Sequence, residues 1–267
     1  MMLADTHLDH GDLVVVAKTR RCATSADDPT DLAAVAYEGR PVVPNDAVAA
    51  IAASAAAFAE ETRQEKLGVY LASPFPKPPA TESPLANLMT DAMLQSVDGD
   101  VAIHNVMGGI RGMLPAGELT FGSVYEMFPF DNHIVVLDLS GADLRRVLAH
   151  QAHNHHRRAG IAGIKASVSC NSNRMRVVAR RPDGSEIADD DRVRLIANDF
   201  LALGGDDILT PIIPDGGFAV DMSLPLVRDA LVSWFRNGPA TLRPEDFESG
   251  DAPRWDVPGS LPENCRL

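Results

Sequence analysis

Three short segments carry residue types suited to chemistry at spacings that let them share one ligand. The first is Asn105-Val106-Met107-Gly108-Gly109-Ile110-Arg111. Paired glycines let backbone N–H groups approach a ligand, and the arginine adds a planar fork of donors for a carboxylate or phosphate. An ordinary tight turn uses the same residues. The second is Phe128-Pro129-Phe130-Asp131-Asn132, in which Phe130 is either a core ring or an exposed platform. The third is Asn198-Asp199-Phe200-Leu201-Ala202-Leu203-Gly204-Gly205-Asp206-Asp207. It runs out of an apolar stretch and sets a carboxylate at a strand's C-terminal edge, where ligands commonly sit. A further cluster is His150, His153, His155 and His156, followed by Arg157 and Arg158. Its first two histidines share a helix face and would suit zinc or nickel. Basic residues in a last helical turn also complement the dipole, and that reading is preferred.

Strands and helices must bring these segments together. Apolar runs predict strands over 67–72, 101–104, 134–139, 164–169, 174–178 and 193–197, with a turn at Pro182-Asp183-Gly184. Ser83 with Pro84 opens a helix whose face is Leu85, Leu88, Met89, Ala92 and Met93. Thr120 opens a short helix ending near Phe128, and Ser140-Gly141-Ala142-Asp143 is a capping-box pattern leading into Leu144, Val147 and Leu148. The last helix is expected over 225–235, with Leu226, Ala230, Leu231 and Trp234 inward. In the N-terminal part, 8–16 reads as a turn and a strand and 23–31 as a polar connector. Asn45 or Asp46 caps a helix running to about Lys66, with Gly68 where it should stop. Residues 106–113 read as a loop, and the Pro- and charge-rich 251–267 as a tail that packs irregularly or frays. Without a regular βαβ repeat, the expected fold class is α+β, a mixed β-sheet with flanking helices.

Taken in order, these segments resemble the C-terminal domain of the 5′-nucleotidase family. The resemblance begins at Glu82-Ser83-Pro84-Leu85-Ala86-Asn87-Leu88 and continues through Gly108-Gly109-Ile110-Arg111, Pro129-Phe130-Asp131-Asn132 and Ser140-Gly141. It closes at Asn198 to Asp206 and covers roughly 67–245. It implies a nucleotide or nucleoside as ligand, with Phe130 and Phe200 sandwiching the base and Asp206 accepting from ribose hydroxyls. Arg111 and Asn132 would be polar contacts, with Asn105 and Lys77 as further candidates. Some positions depart from the family pattern. Lys77 stands near the place of a usual arginine, and Asn105 lies six rather than five residues before Arg111. Asp207 and Ile208 replace a glycine and an aromatic, so a positive φ at Asp207 would carry modest strain.

The resemblance also implies a two-metal metallophosphatase domain that performs hydrolysis, and this chain lacks its motifs. Neither Asn-His-Glu nor Gly-His-x-His occurs; Asp5-Thr6-His7 and Asp131-Asn132-His133 are isolated fragments of such patterns. The expectation is therefore no cofactor and no catalytic residue in this chain, with divalent metals only in the absent domain. That domain, separately encoded, is a candidate partner. The expected organisation is 1–44 as a remnant strand and loop, 45–66 as an interdomain-type helix, 67–250 as the C-terminal-like domain and 251–267 as the tail. The rival readings are a free-standing nucleotide-binding module and a decayed fragment or interaction scaffold.

Composition sets the outer limits. The 267 residues carry 24 Lys+Arg against 37 Asp+Glu, a net charge of −13, which disfavours nucleic acid as a partner. No apolar run approaches the ~18 residues of a membrane span. Cys22, Cys170 and Cys265 are odd in number and widely spaced, and read as unpaired thiols rather than a disulfide framework or metal site. The N-terminus carries no recognisable export signal, so a cytoplasmic location is the default, although the family's members are typically periplasmic or secreted.

Overall fold

The computed structural model describes residues 45–78, 82–153, 159–250, 252–258, 261–262 and 264–267, together with the backbone of 4–9, 12–17, 36–37 and 40–41. The chain divides into two units, 1–59 and 60–267. In the first, β1 (Ala4–Asp9) pairs antiparallel with β2 (Asp12–Ala17), and β3 (Ala36–Tyr37) with β4 (Arg40–Pro41). A hairpin thus replaces the single strand expected over 8–16. The connector expected over 23–31 and Cys22 lie outside the described residues. Helix α1 (Asp46–Arg63) starts where expected, because Asn45 Oδ1 accepts the Ala47 and Val48 N–H groups at 3.1 and 3.2 Å. It ends before Lys66. Gly68, read as the helix stop, instead lies within the next strand at φ +77°, where the pairing register shifts. A glycine in the left-handed region is what a bulge of this kind uses.

The second unit holds the remaining elements. In chain order they are β5 (Lys66–Leu71), α2 (Pro84–Ser96), β6 (Val101–His104), α3 (Val106–Gly109), β7 (Gly117–Thr120), α4 (Phe121–Met127), β8 (Ile134–Ser140) and α5 (Gly141–His153). There follow β9 (Gly160–Ala162), β10 (Lys165–Asn171), β11 (Arg174–Arg180), β12 (Arg192–Asn198), α6 (Asp199–Ala202), α7 (Val227–Asn237), β13 (Thr241–Leu242) and β14 (Trp255–Asp256). The central sheet has the order β8-β12-β6-β9, mixing one parallel and two antiparallel pairings. Two three-stranded sheets, β13-β5-β7 and β11-β10-β14, complete the α+β architecture.

Burial follows the strand pattern. β6 is buried along its whole length, and its first three residues are apolar, as a strand covered on both faces requires. Val101 and Ile103 join one core with Leu144, Val147 and Leu148 of α5, while Ala102 faces a second core built on Leu85, Leu88 and Met89 of α2 and Leu231 and Phe235 of α7. β12 divides likewise, with Leu195 and Ala197 in the first core and Ile196 in the second. Helix starts follow local chemistry. Ser83 Oγ accepts from Ala86 N–H at 3.2 Å, and Ser140 and Asp143 cap each other reciprocally at 3.1 Å. α7 begins two residues later than expected, after Pro225 and the capping Leu226, and Trp234 is only half-buried.

Fraying, one of the two readings of the tail, does not hold for its described residues, which pack: β14 pairs parallel with β10, and buried Trp255 donates its indole N–H to Ala159 O at 2.9 Å. Arg254 forks onto Asp91 of α2 at 2.7 and 2.8 Å, and Glu82 accepts the Arg254 N–H at 2.9 Å. Nor are the cysteines all unpaired thiols, because Cys170 and Cys265 form a disulfide across 95 residues with Cα atoms 6.2 Å apart. Spacing along the chain conceals that proximity, which goes with the pairing of β14 beside β10.

Candidate functional site

Sheet order decides which loops meet. β6 and β12 are parallel neighbours, pairing Val101 with Leu195, so they deliver His104-Asn105 and Asn198 to the same edge. β8 runs antiparallel to β12 with Ile134 opposite Asn198, so the segment leading into β8 arrives there too. The Asp199 N–H donates to His133 O at 3.0 Å and ties two of the loops together. The first loop is not irregular throughout: 106–109 make a single helical turn, α3.

A cavity of about 350 Å³ opens at this edge. Arg111, Phe130, Asn132, Phe200, Asp206 and Asn105, all singled out by sequence, line it. Lys77 does not. It is exposed in a segment anchored by buried Phe75, whose N–H donates to Leu114 O at 2.9 Å. A larger cavity, about 460 Å³ around Trp234 and Gln95, gathers none of these residues.

Within the site, Asn105 Nδ2 donates to Asp206 Oδ2 at 2.6 Å. Asp206 and Asp207 lie at φ +51° and +58°, so the left-handed backbone expected at Asp207 extends to its neighbour. Asn132 Nδ2 donates to Asp199 Oδ1 at 2.7 Å, and the same oxygen accepts the Phe200 N–H at 2.7 Å. Phe200 keeps 42% of its surface exposed. Its ring lies so close to Gly205 that a Cβ there would overlap it. Gly108 is equally constrained, since a Cβ would stand 2.8 Å from Asp206 Oδ2. Phe130 is half-buried and meets Phe128 edge-on at 5.3 Å between centroids.

Arg228 and His104 escaped the sequence reading, and Asn198 entered it only as the start of a segment. Arg228 of α7, buried among core residues, donates to Phe130 O at 3.1 Å and Asp131 Oδ1 at 2.5 Å, and its guanidinium carbon stands 5.0 Å from the Tyr125 ring centroid. Asn198 lines the cavity and caps α6, its Oδ1 accepting Leu201 N–H at 2.8 Å; an Asn before a short helical pattern is the signal that announces it. His104, 1% exposed, lies behind the site, where burial lowers its pKa to about 3 and keeps the imidazole neutral. Nothing in its sequence context distinguishes it from a core residue.

The histidine cluster is engaged elsewhere. His150 Nε2 lies 3.2 Å from Asp207 Oδ2, and His153 Nε2 lies 2.9 Å from Cys265 O. His155, His156, Arg157 and Arg158 fall outside the described residues. His133, in the other candidate fragment, has Nδ1 at 2.8 Å from Leu224 O. Among the described residues no three His, Cys, Asp or Glu side chains converge as a metal ion requires.

A mixed sheet flanked by helices, with a ligand-sized cavity at its strand ends, matches the family described as 5′-nucleotidase, C-terminal domain, over residues 67–211. The chain belongs to that family. The trifunctional nucleotide phosphoesterase protein YfkN of Bacillus subtilis (strain 168) is 30% identical over 164 residues, which are 55% of this chain and 11% of that protein. The cell wall protein Lmo0130 of Listeria monocytogenes is 28% identical over 215 residues, 68% of this chain and 27% of its own length. The solved 5′-nucleotidase precursor from Thermus thermophilus superposes with a TM-score of 0.62 at 23% identity, covering 96% of this chain and 54% of that one. The NAD nucleotidase NadN of Haemophilus influenzae gives 0.59 at 18%, covering 80% and 41%. At these identities the structural likeness is one of fold, and this chain spans about half of the former structure.

Proposed function

We propose that this domain recognises a nucleotide or nucleoside, stacking the base between Phe130 and Phe200 and accepting ribose hydroxyls on Asp206. The observation that carries the reading is the convergence of both rings and the carboxylate on one cavity of about 350 Å³, within the ~300–1,000 Å³ range of small-molecule sites. Arg111, exposed at the same cavity, suits an anionic substituent. Asn132, already held by Asp199, presents its free carbonyl edge as a polar contact. Catalysis is assigned to a metallophosphatase domain outside residues 1–267, where the divalent metals belong. The Cys170–Cys265 bond supports an oxidising setting outside the reducing cytosol. Among the described residues no helix is long and apolar enough to cross a membrane.

The test is calorimetric titration with adenosine and 2′-deoxyadenosine. A carboxylate desolvated by the ligand but lacking one hydroxyl donor loses one hydrogen bond, so the deoxynucleoside binds more weakly by ~1–3 kcal/mol. Replacing Phe200 by alanine weakens both by a similar ~1–3 kcal/mol, the worth of one stacked base. Equal affinity for the two sugars removes Asp206 from the site, and unchanged binding in the Phe200→Ala variant removes the stacking.

A further inference from the structure

A chain of polar side chains runs from the core to the carboxylate of the cavity. It starts at His104, the last residue of β6, buried to 1% exposure. The Asn198 amide nitrogen lies 3.3 Å from His104 Nδ1. An amide nitrogen can only donate, so Nδ1 is the acceptor and the imidazole proton resides on Nε2. Asn198 cannot turn over, because its Oδ1 already accepts the Leu201 N–H at 2.8 Å. Its Nδ2 also faces Asn105 Oδ1 at 3.5 Å, and Asn105 Nδ2 in turn reaches Asp206 Oδ2 at 2.6 Å.

We propose that His104 is a positioning residue: its Nδ1 accepts from the Asn198 amide that the Leu201 N–H has oriented, holds that amide against Asn105 Oδ1, and so presents Asp206 to a ribose diol. The inference rests on the reading of Asp206 as the diol acceptor and adds what makes that acceptor selective. Stability alone does not explain an imidazole here. Nε2 is buried without a hydrogen-bond partner, against Gly109, whose missing side chain leaves room for it. An unpaired buried N–H is costly, and an apolar side chain of similar size would avoid it. The atom that compensates is Nδ1. Burial also holds the ring neutral, which keeps that nitrogen free to accept across the physiological pH range.

Two substitutions separate the acceptor from the bulk. His104→Asn puts an amide oxygen where Nδ1 stands and deletes Nε2; His104→Leu deletes both. Each loses the edge-on contact that His104 makes with the Phe128 ring at 5.6 Å, so their difference isolates the acceptor. Binding of adenosine and 2′-deoxyadenosine is measured for the parent and both variants. The ratio of the two affinities is expected to hold within about twofold in His104→Asn and to fall about fivefold or more in His104→Leu, the loss of roughly one charge-assisted hydrogen bond's selectivity. A His104→Leu variant that discriminates like the parent overturns the proposal. A parent that binds both sugars equally refutes the diol reading instead, and ligand-free NMR then decides the His104 proposal by itself. There, the imidazole nitrogen shifts should show Nδ1 bare and Nε2 protonated at pH 7, and the Asn105 side-chain amide should shift in His104→Leu but not in His104→Asn. A protonated Nδ1, or an Asn105 amide indifferent to both variants, overturns it.

Discussion

Phe200 stands half out of its cavity, over a glycine that no other residue could replace without pushing the ring aside. A large ring left exposed on a well-packed domain loses the gain of burial, which a flat ligand would restore. Phe130 differs: its ring leans on Phe128, and Arg228 holds its carbonyl, so it is more firmly held than the exposed Phe200 ring. His104 gives the residue scale its pH dependence. Its pKa is lowered to about 3 in the fold, against an ordinary value near 6.5. Between those values the unfolded chain binds a proton that the folded one refuses, so stability falls as pH falls, by about 1.4 kcal/mol per unit. Below about 3 both states are protonated and the slope ends. Urea unfolding should therefore show the parent losing about 2 kcal/mol more than His104→Asn between pH 6.5 and pH 5. Parallel losses in the two proteins would contradict the buried neutral imidazole.

Among the elements, the strongest local signals survived folding. Ser140 and Asp143 cap α5 reciprocally, as their spacing announced. Partial burial works to raise the Asp143 pKa, but the hydrogen bonds from Ser140 and Arg146 outweigh it and hold the carboxyl below its ordinary value. Its contribution is thus complete above the ordinary carboxylate pKa and is lost as pH falls through the lowered one. Ser140→Ala should cost ~1 kcal/mol in chemical denaturation at pH 7; an unchanged midpoint and slope would deny the cap its role. The elements that escaped reading are those whose existence is tertiary. β9 is three residues beginning with glycine, and it becomes a strand only by pairing with β6. α3 contains two glycines, poor helix formers, and its turn is imposed by the loop that joins His104 to Arg111. The lining of the candidate cavity was legible in the sequence at Arg111, Phe130, Asn132, Phe200 and Asp206. Arg228 and His104, whose partners lie about a hundred residues away, were illegible.

At the scale of the molecule, the tail determines more than its composition suggested. A stretch dense in proline and charge hides one buried tryptophan, one buried cysteine and a bidentate arginine: Arg254 is tied to α2, and Trp255 and Cys265 to β10. The disulfide closes a loop of 95 residues, and cross-links of that span remove unfolded-state entropy worth ~2–5 kcal/mol. Cys265→Ser, or reduction of the parent, should lower the melting temperature by several degrees, read by circular dichroism with and without reductant. Identical melting curves would mean that the bond contributes nothing to the stability of the fold. The same scale separates recognition from hydrolysis. Phosphate monoesters need barrier reductions towards the upper end of ~8–23 kcal/mol. On the proposed reading, stacking and one arginine recognise the ligand without generating a nucleophile, and hydrolysis would need a metal-bearing domain.

One ligand is proposed to lie between two particular rings and beside one particular carboxylate. Nuclear Overhauser contacts from bound adenosine to the protein test this directly. The base protons of adenosine are expected to contact both the Phe130 and Phe200 rings, and its ribose protons Gly108 Hα beside Asp206. Saturable binding with contacts to neither ring, or contacts confined to the cavity around Trp234, would contradict it.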